Sequence, residues 1–482
     1  MKFRSKLIAI IYGVIMGGIC SCSASTKEDK IEILKNLATD LMEHLEESVR
    51  DTKSSLMQSQ FIMQPTGVTA INSCEDSNGA EILCADLGGT SLKLDIYKKD
   101  ANSRKLYKVT KDTVKHIIPK TKEDIGERTI YEFMAEKINA FVAERREKIG
   151  GVHNKPMHGA LTFSYPLERH GDKIKVTRFT KKFNWKRVTT DESISEIPLD
   201  ELNKLTAEHV KFNVIVNDTT ALGAWACSTY EDAIGGFVLG TGVNCSYLEN
   251  MQIITNGTPE NVRVILNTEC GGFDFKGVHD LMDDIDKELD EQAEKEKGVY
   301  LLEKMVGGLY FEKYINLFFT KKVQEMLGNS EVELIMIRDF KIKNSELSPE
   351  QVAENITKLF SETFVEKSTL DQIINLTNNT IENTVDRKYR ICAGLLAGII
   401  CKHRRNNKNQ NTYIFGLTGS GCNTKEFEDQ VIKYILMILG SLEIEELNKI
   451  QIQFKFSEEA SLEGGASAFI DAYYGSTLAT LI

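Results

Sequence analysis

Apolar residues recur at three- and four-residue intervals in several parts of the chain, the spacing expected for one face of a helix. The first such stretch predicts an amphipathic helix from Lys27 to about Gln58, and a second predicts a helix from Thr129 to about Arg145. Further along, 307–383 is mainly helical in pattern, 387–402 predicts a buried helix and 464–482 predicts a closing helix.

Short apolar runs that end in glycine turns predict strands and hairpins between these helices. The segments Cys84–Ile96 and Phe237–Leu248 each consist of an apolar strand, a glycine turn with a threonine, and a return strand. A strand followed by a glycine turn recurs at 412–421. The two hairpins form an internal repeat, which predicts two related domains that face one nucleotide.

Each glycine turn has two interpretations. An ordinary hairpin turn needs no ligand, whereas a glycine loop also lets backbone N–H groups approach a phosphate. In the second interpretation Asp86, which precedes Gly88 and Gly89, is placed to hold a metal-bound water.

The stretch Val214–Leu222 predicts the end of a buried strand followed by the start of a helix. Asn217 or Asp218 is then a simple helix N-cap, because its side-chain oxygen can accept from unpaired backbone N–H groups. Alternatively, Asp218 is a functional carboxylate at the carboxyl end of a strand, where open α/β sheets bind their ligands.

Other polar residues carry less information singly. Ser164 ends an apolar strand, and Thr180 and Lys181 follow the next strand-like segment. Taken singly, they are better explained as a strand-end serine and a solvated lysine than as ligand-binding residues. The acidic run Asp283–Glu294 is interpreted as a solvated helix face.

Composition limits the class of function. The chain has 482 residues, of which 41% are hydrophobic and 27% charged, enough for two or three domains with a large core. Its net charge of −11 argues against a nucleic-acid-binding protein, which needs a basic patch. The composition instead fits a protein that handles small molecules.

The amino terminus has the order of a secretory signal peptide. Lys2, Arg4 and Lys6 precede an apolar run at 7–16, and small residues up to Ala24 follow it. We expect cleavage close to Ala24, with a retained membrane anchor as the alternative.

The cysteines beyond this segment are scattered and form no C-x-x-C pair. We therefore expect no disulfide framework, and a protein that is exported yet works in a reducing environment.

Taken together, the motifs resemble those of the eukaryotic-type hexokinases, and the resemblance runs from the first helix to the carboxyl end. In chain order, the segments that carry it are Asp86–Thr90, Thr162–Pro166, Phe179–Phe183, Val216–Thr219, Gly240–Asn244, Asn267–Gly271 and Leu302–Lys304. With its leader and its Lys, Asn and Ile usage, the chain is more narrowly similar to the secreted hexokinases that microsporidian parasites export into host cells.

This resemblance implies an α/β, two-lobed, ribonuclease-H-like fold of the actin and sugar-kinase superfamily, with a central cleft. It divides the chain into a signal peptide (1–24), a helix and connector of the large lobe (25–80), the small lobe (81–215), the large lobe (216–463) and a helix that returns to the small lobe (464–482). It also implies transfer of a phosphoryl group from ATP to the 6-hydroxyl of a hexose, typically glucose, as the first step of glycolysis.

The resemblance assigns roles to individual residues. Asp218 is the expected catalytic base, and Lys181 is expected to add positive charge near the transferred group. The expected sugar-binding residues are Ser164, Thr180, Lys181, Asn217, Asp218, Asn244, Glu269 and Glu303. The expected ATP-binding residues are Asp86, Gly88, Gly89, Thr90, Gly240, Thr241, Gly242, Gly419, Ser420 and Gly464.

Mg²⁺ is expected to arrive with the nucleotide, without a metal site made by the protein alone. The expected partners are hexose and ATP, with no nucleic acid and no membrane after signal cleavage. The resemblance further predicts a monomer or weak homodimer that is secreted, into host cytoplasm in the narrower comparison.

The sequence departs from the family pattern in three places. Ser91 and Lys93 replace the usual asparagine and arginine, and Thr418 replaces an acidic residue. In the segment 457–466, interpreted as an adenosine-binding turn, Ala460 and Leu462 occupy expected glycines and Glu463 an expected lysine. A raised KM for ATP follows, and a catalytically weak sugar-binding or sensing protein stays open as the second function. An actin-like or chaperone ATPase would give no reason for the sugar-binding residues.

Overall fold

A computed structural model of the chain describes residues 27–50, 64–65, 81–99, 106–149, 156–165, 167–170, 173–176, 184–188, 196–255, 258–293, 296–327, 349–359 and 367–474. Two six-stranded sheets dominate this part of the chain, and a small two-stranded sheet accompanies them. The predicted signal peptide, residues 1–24, lies outside the described residues, as do Thr180 and Lys181.

One six-stranded sheet is built from residues of the amino-terminal half of the chain and is called here the amino-terminal sheet. Its strand order is β4-β3-β2-β6-β9, with β5 also paired to β3. Its strands are β2 (Glu81–Leu87), β3 (Ser91–Lys99), β4 (Leu106–Lys108), β5 (Val114–Ile117), β6 (Met157–Phe163) and β9 (Val210–Val216). The two-stranded sheet consists of β7 (Leu167–His170) and β8 (Lys173–Val176). In the amino-terminal sheet β2 and β3 are an antiparallel hairpin, while β2, β6 and β9 run parallel.

The carboxyl-terminal sheet has the order β1-β12-β11-β10-β13-β14. Its strands are β1 (Gln64–Pro65), β10 (Ala233–Leu239), β11 (Val243–Thr255), β12 (Thr258–Asn267), β13 (Thr412–Thr418) and β14 (Gln451–Phe456). Here too an antiparallel hairpin, β10–β11, is continued by two parallel strands, β13 and β14.

The two sheets therefore share one plan: a hairpin whose first strand is followed across the sheet by two parallel strands. The hairpin turns fall where the glycine pattern predicted them, because Leu87 pairs with Leu92 and Leu239 with Val243. The internal repeat predicted from the sequence is confirmed at the level of strand order.

The helices in chain order are α1 (Lys27–Arg50), α2 (Lys122–Ile125), α3 (Ile130–Ile149), α4 (Pro198–Thr206), α5 (Asp218–Thr229), α6 (Lys276–His279), α7 (Asp284–Glu291), α8 (Leu301–Val306), α9 (Gly308–Leu327), α10 (Pro349–Leu359), α11 (Lys367–Asn406), α12 (Lys425–Ser441) and α13 (Ala460–Tyr474). The predicted helices at 129–145 and 387–402 correspond to α3 and to the second half of α11. The predicted closing helix begins four residues earlier than expected, at Ala460.

Helix α1 packs on α11 beside the carboxyl-terminal sheet, and its leucine stripe is buried. The contact is close because glycines on α11 face it. A Cβ atom on Gly394 would lie 2.7 Å from Leu37 Cδ2, and one on Gly398 would lie 2.9 Å from the backbone oxygen of Ala38. The amino-terminal helix thus completes the core of the second sheet, far from it in sequence.

Helix α13 connects the two sheets: it follows a strand of the carboxyl-terminal sheet but packs against the amino-terminal sheet. It leaves β14 of the carboxyl-terminal sheet, yet Leu462 and Phe469 pack with Ile82 and Val214 of the amino-terminal sheet. It also crosses α5 closely, since a Cβ atom on Gly464 would lie 1.8 Å from the backbone oxygen of Ala221. The two crossed helices α5 and α13 therefore lie between the sheets.

The interpretation of the acidic run Asp283–Glu294 as a solvated face is wrong for two of its members. Asp286 and Asp290 are buried. Asp286 forms an ion pair with Arg387 of α11, and Asp290 forms one with Lys304 of α8. Burial of an acidic side chain is tolerated when a cation and hydrogen bonds compensate it, and here those partners come from other elements.

The thiols of Cys84, Cys227, Cys245, Cys270, Cys392, Cys401 and Cys422 are free, while Cys74 lies outside the described residues. Among the helices that the structure describes, none combines the length and apolar character needed to cross a membrane.

Candidate active site

The junction of β9 and α5 holds the two central polar residues. Val214, Ile215 and Val216 are buried in the sheet. Asn217 then has an extended backbone with φ −67° and ψ 152°, and its Oδ1 accepts a hydrogen bond from the Thr219 backbone N at 2.9 Å. Asn217 is therefore the N-cap, and Asp218 occupies the first position of α5.

Asp218 is half-buried, and the Thr219 backbone N donates to its Oδ1 at 2.8 Å. In the part of the chain that the structure describes, its Oδ2 accepts no hydrogen bond from another residue. Of the two sequence interpretations, the N-cap belongs to Asn217, and the functional role of the Asp218 carboxylate stays a prediction.

Asp86, near the end of β2, lies close to this junction. It is 5% exposed. Burial raises the pKa of Asp86 to about 6; the nearby Lys93 opposes this rise and the negative charge of Asp218 adds to it. Lys93 Nζ lies 3.8 Å from Asp86 Oδ2 and donates to the backbone oxygen of Glu458 at 2.8 Å. The carboxylates of Asp86 and Asp218 are thus close enough to interact electrostatically, at the carboxyl ends of the parallel strands of the amino-terminal sheet.

Ser164 also lies at the carboxyl ends of these parallel strands. Strand β6 lies between β2 and β9, and the Ser164 backbone N donates to the Leu87 backbone O at 3.1 Å, which extends the β2–β6 pairing past the strand end. Its side chain is buried. The structure therefore brings Ser164, Asp86 and Asp218 to the carboxyl ends of neighbouring parallel strands.

A second group of polar residues lies at the β11–β12 end of the carboxyl-terminal sheet. Asn244 Nδ2 donates to Asn267 Oδ1 at 3.0 Å, and Asn267 Nδ2 donates to Glu269 Oε1 at 2.6 Å. Glu269 has a left-handed backbone, with φ 48° and ψ 39°, directly before the short 3₁₀ turn Cys270–Gly272. Asn244 and Glu269, predicted separately, are thus joined through one side chain.

Glu303 of α8 reaches the same group. A Cβ atom on Gly242 would lie 2.0 Å from Glu303 Oε2, and one on Gly271 would lie 3.4 Å from the same oxygen. Glycine at both positions therefore gives the carboxylate room beside the 240–242 turn and the 3₁₀ turn that follows Glu269.

The glycine turns of the carboxyl-terminal sheet lie side by side. A Cβ atom on Gly240 would lie 3.9 Å from Gly419 Cα, and the Gly421 backbone N donates to Leu239 O at 2.8 Å. Gly419 has φ +104°, a conformation that L side chains rarely adopt. The predicted ATP-binding residues Gly240, Thr241, Gly242, Gly419 and Ser420 are therefore neighbours.

The 240–242 turn is anchored on one side by α9. The backbone N groups of Gly308 and Leu309 donate to the carbonyl oxygens of Gly240 and Thr241 at 2.8 and 3.1 Å. These bonds use the first N–H groups of α9, while the Thr241 side chain remains exposed. In the amino-terminal hairpin, Gly89 and Thr90 are also exposed, and the Gly88 backbone N closes the turn on Ser91 O at 3.0 Å.

The prediction of an adenosine-binding turn over 457–466 needs correction, and with it the assignment of Gly464. Helix α13 begins at Ala460, so Gly464 is helical and lies against the backbone of Ala221, which leaves no room for a ligand. Ala460 and Leu462 are completely buried in packed cores. Their side chains therefore do not obstruct a ligand, contrary to what the sequence pattern indicated.

The acidic residues of this segment contact protein groups. Lys108 Nζ bonds to Glu459 Oε1 at 2.8 Å, and Thr113 Oγ1 donates to the same oxygen at 2.6 Å. Burial raises the pKa of Glu463, against a lowering effect of its hydrogen bond with Trp225. The segment that joins the sheets is thus held to β4 and α5.

Asn267 is the one residue of the polar group to which the sequence analysis assigned no role. Its signal was present: it ends a strand and stands two residues before Glu269, within a motif that carried the family resemblance.

Comparison with known proteins agrees with this geometry. Two family models, both described as Hexokinase, match residues 19–227 and 234–470, together most of the chain. Glucokinase-1 of Kluyveromyces lactis is 24% identical over 326 residues, which span 63% of this chain and 67% of that protein. Hexokinase HKDC1 of Homo sapiens is 26% identical over 421 residues, which span 84% of this chain but only 43% of that protein.

Among solved structures, the hexokinase from Schistosoma mansoni complexed with glucose superimposes with a TM-score of 0.64 at 20% identity, covering 92% of this chain and 98% of that one. This likeness confirms the predicted two-lobed sugar-kinase fold.

Proposed function

The chain belongs to the hexokinase family, and we propose that it transfers the γ-phosphoryl group of ATP to the 6-hydroxyl of a hexose, with glucose as the preferred acceptor. The observation that carries this proposal is the position of Asp218, whose Oδ1 is held by Thr219 and whose Oδ2 accepts no bond from the described residues. A base held in one orientation, with one oxygen open to ligand, suits removal of a hydroxyl proton.

The acceptor sugar would bind between this base and the polar group of the carboxyl-terminal sheet. A hexose presents many hydroxyls, so its site needs several amides and carboxylates as hydrogen-bonding partners. Asn217, Asn244, Glu269 and Glu303 supply such groups, with Ser164 at the strand edge. Thr180 and Lys181 belong to the proposed sugar site by family resemblance alone.

The nucleotide phosphates would lie against the glycine turns. Gly240, Thr241, Gly242, Gly419 and Ser420 form one phosphate-binding surface, and Gly88, Gly89 and Thr90 form the other. Exposed backbone N–H and hydroxyl groups at such turns can bind phosphate oxygens without side-chain rearrangement.

Asp218 would accept the proton of the primary hydroxyl as its oxygen attacks the γ-phosphorus, the new P–O bond replacing the bond to ADP. Asp86, buried and near Asp218, fits a role toward Mg²⁺ that enters with ATP, because adjacent carboxylates favour a cation between them and the phosphates. When bound, Mg²⁺ would neutralise charge on the phosphate oxygens.

The second candidate is a weakly catalytic sugar-binding protein. The observation that favours it is the carboxylate of Glu463, which stands where the family pattern has a lysine and adds negative charge to the first turn of α13. The burial of Ala460 and Leu462 removes the steric part of that argument.

We further propose that residues 1–24 act as a cleaved secretory signal, which would make the protein an exported hexokinase like those of microsporidian parasites. Expression of the full chain in a secreting eukaryotic host, followed by amino-terminal sequencing, tests this. A new terminus near Ala24 on protein from the medium supports export, and an uncleaved, membrane-bound chain contradicts it.

The activity is tested by a coupled assay of residues 25–482 with glucose and Mg·ATP, alongside mannose and fructose. Turnover that is lost in Asp218→Asn supports the kinase. Glucose binding in calorimetry without turnover would favour the sugar-binding alternative, and absence of both would contradict either function.

A further inference from the structure

Asn267 occupies the centre of the polar group at the end of β12. Its side chain is 4% exposed and makes three hydrogen bonds to two proposed sugar-binding residues. Oδ1 accepts from Asn244 Nδ2 at 3.0 Å and from the Glu269 backbone N at 3.3 Å, while Nδ2 donates to Glu269 Oε1 at 2.6 Å. A buried amide with this many partners is fixed in orientation.

Which atom donates and which accepts in this group follows from Glu269 at one end of the hydrogen-bond chain and Asn244 at the other. At one end Glu269 carries a carboxylate, which only accepts, so Asn267 must present its NH₂ group there. At the other end the Cys245 backbone N donates to Asn244 Oδ1 at 2.8 Å, so Asn244 must present its NH₂ group to Asn267. Both ends require the same orientation of Asn267, with Oδ1 toward Asn244.

Asn267 also holds the backbone of Glu269. A left-handed conformation is unfavourable for an L residue other than glycine, so Glu269 needs partners that hold it there. Asn267 Oδ1 accepts from the backbone N of Glu269, and the Gly272 backbone N donates to Glu269 O at 2.9 Å. One side chain thus fixes both the backbone turn and the carboxylate of Glu269.

We propose that Asn267 is a positioning residue that sets hydrogen-bond polarity in the hexose site, with Asn244 as a donor to the sugar and Glu269 as an acceptor from it. The inference rests on the proposed function and adds to it a rule for substrate selection. The hydroxyl that meets Asn244 accepts a hydrogen bond, whereas the hydroxyl that meets Glu269 donates one.

Fluorinated sugars distinguish these two roles, because a C–F group accepts weakly and cannot donate. The experiment measures kcat/KM of the wild-type chain for glucose and for its monodeoxy and monodeoxyfluoro analogues at each ring hydroxyl. At the hydroxyl that donates to Glu269, both replacements should lower kcat/KM by roughly 10–100-fold, the range for a hydrogen bond to a charged group. At the hydroxyl that accepts from Asn244, the fluoro analogue should retain several-fold more activity than the deoxy analogue.

The variant Asn267→Asp replaces the donor toward Glu269 by an acceptor of the same size. Two carboxylates would then face each other, so we expect KM for glucose to rise by roughly 10–100-fold while KM for ATP stays unchanged. The losses caused by the analogues should also shrink. Because a shared proton relieves such a pair, KM for glucose should fall again as the pH is lowered in this variant but not in the wild type.

Asn203→Asp is the matched control. The Asn203 amide makes two comparable bonds, to the backbone N and O of Phe212, in the amino-terminal sheet. Its loss should lower stability without altering the analogue profile.

The wild-type analogue series needs no folded variant, so an unstable Asn267→Asp protein leaves the test intact. Phosphorylation of glucose with no position at which fluorine outperforms hydrogen would overturn the inference alone. An unchanged analogue profile in a folded Asn267→Asp protein would do the same. A wild-type chain that neither binds nor phosphorylates glucose would overturn the proposed function, and this inference with it.

Discussion

Lys304 Nζ lies 2.6 Å from Asp290 Oδ1, and both residues are buried. Asp290 also accepts two bonds from the Gly298 backbone N, at 3.0 Å each. The pair joins α7 to α8, the short helix that carries Glu303, one of the proposed sugar-binding residues.

Lys304→Met should therefore weaken both the fold and sugar binding. Removing one partner of a buried ion pair leaves the other charge uncompensated, at a cost of about 3–5 kcal/mol. Urea unfolding measures the loss of unfolding free energy, and steady-state kinetics should find a higher KM for glucose. Lys297→Met is the control, since its ion pair with Glu291 is exposed. Equal effects of the two substitutions would contradict a role for burial.

Asp218→Asn should abolish most turnover while sugar binding survives. The amide keeps the size of the side chain and an oxygen for the Thr219 backbone N, but it cannot take a proton. We expect kcat to fall by about 10²–10⁴-fold, the usual contribution of a general base. Glucose affinity is measured by calorimetry, with Asp200→Asn on the surface of α4 as the control. Near-normal kcat in the purified Asp218→Asn protein would exclude Asp218 as the base.

Asp86→Asn should stabilise the protein in a pH-dependent way. Because burial raises the pKa of Asp86 in the folded state to about 6, the stability contributed by its protonated form is complete below pH 4 and lost as pH rises through 6. The amide avoids the buried charge, so above pH 7 the variant should gain on the order of 3 kcal/mol over the wild type.

Urea unfolding across pH 4.5–8 checks the Asp86 prediction, and Asp200→Asn should show no comparable gain. The same variant should lose kcat/KM for ATP, because the carboxylate near the proposed phosphate site is gone. A constant stability difference at all pH values would show that Asp86 is not protonated on folding.

Leu462→Ala should destabilise the protein without improving ATP binding. The side chain packs with Ile82 and Val214, and removing a buried leucine typically costs 2–5 kcal/mol. Leu205→Ala, at a half-exposed leucine in α4, is the control with little expected loss. Thermal unfolding and the KM for ATP are the measurements. A lower KM for ATP in Leu462→Ala would restore the sequence-based hypothesis that Leu462 obstructs the nucleotide.

The features that the sequence predicted correctly are local. A glycine turn between two apolar runs predicts each hairpin. Asn217 and Asp218 after a β-branched run predict the junction of β9 and α5. Short-range backbone preferences decide these elements, so a few adjacent residues are sufficient to identify them.

The errors concern contacts between distant parts of the chain. The partner that allows Asp286 to be buried is Arg387, 101 residues away, and no pattern within the acidic run reveals it. Likewise, the sequence pattern predicts that Leu462 faces a ligand, whereas its side chain is buried against Ile82 and Val214. The direction of this side chain depends on how α13 packs on the sheet, which adjacent residues do not reveal. The roles assigned to Ser164, Asn217, Asn244, Glu269 and Glu303 stay predictions until the kinetic tests are made.

The position of α13 has a consequence for folding during synthesis on the ribosome. Leu462 and Phe469 complete the core around Ile82 and Val214, so the amino-terminal sheet is completed by a helix that is synthesised much later. At about 5–20 residues per second, translation of the intervening chain takes tens of seconds. During that time one apolar face of the emerging sheet lacks the contacts of α13, so we expect this part of the chain to need protection from aggregation until α13 is made.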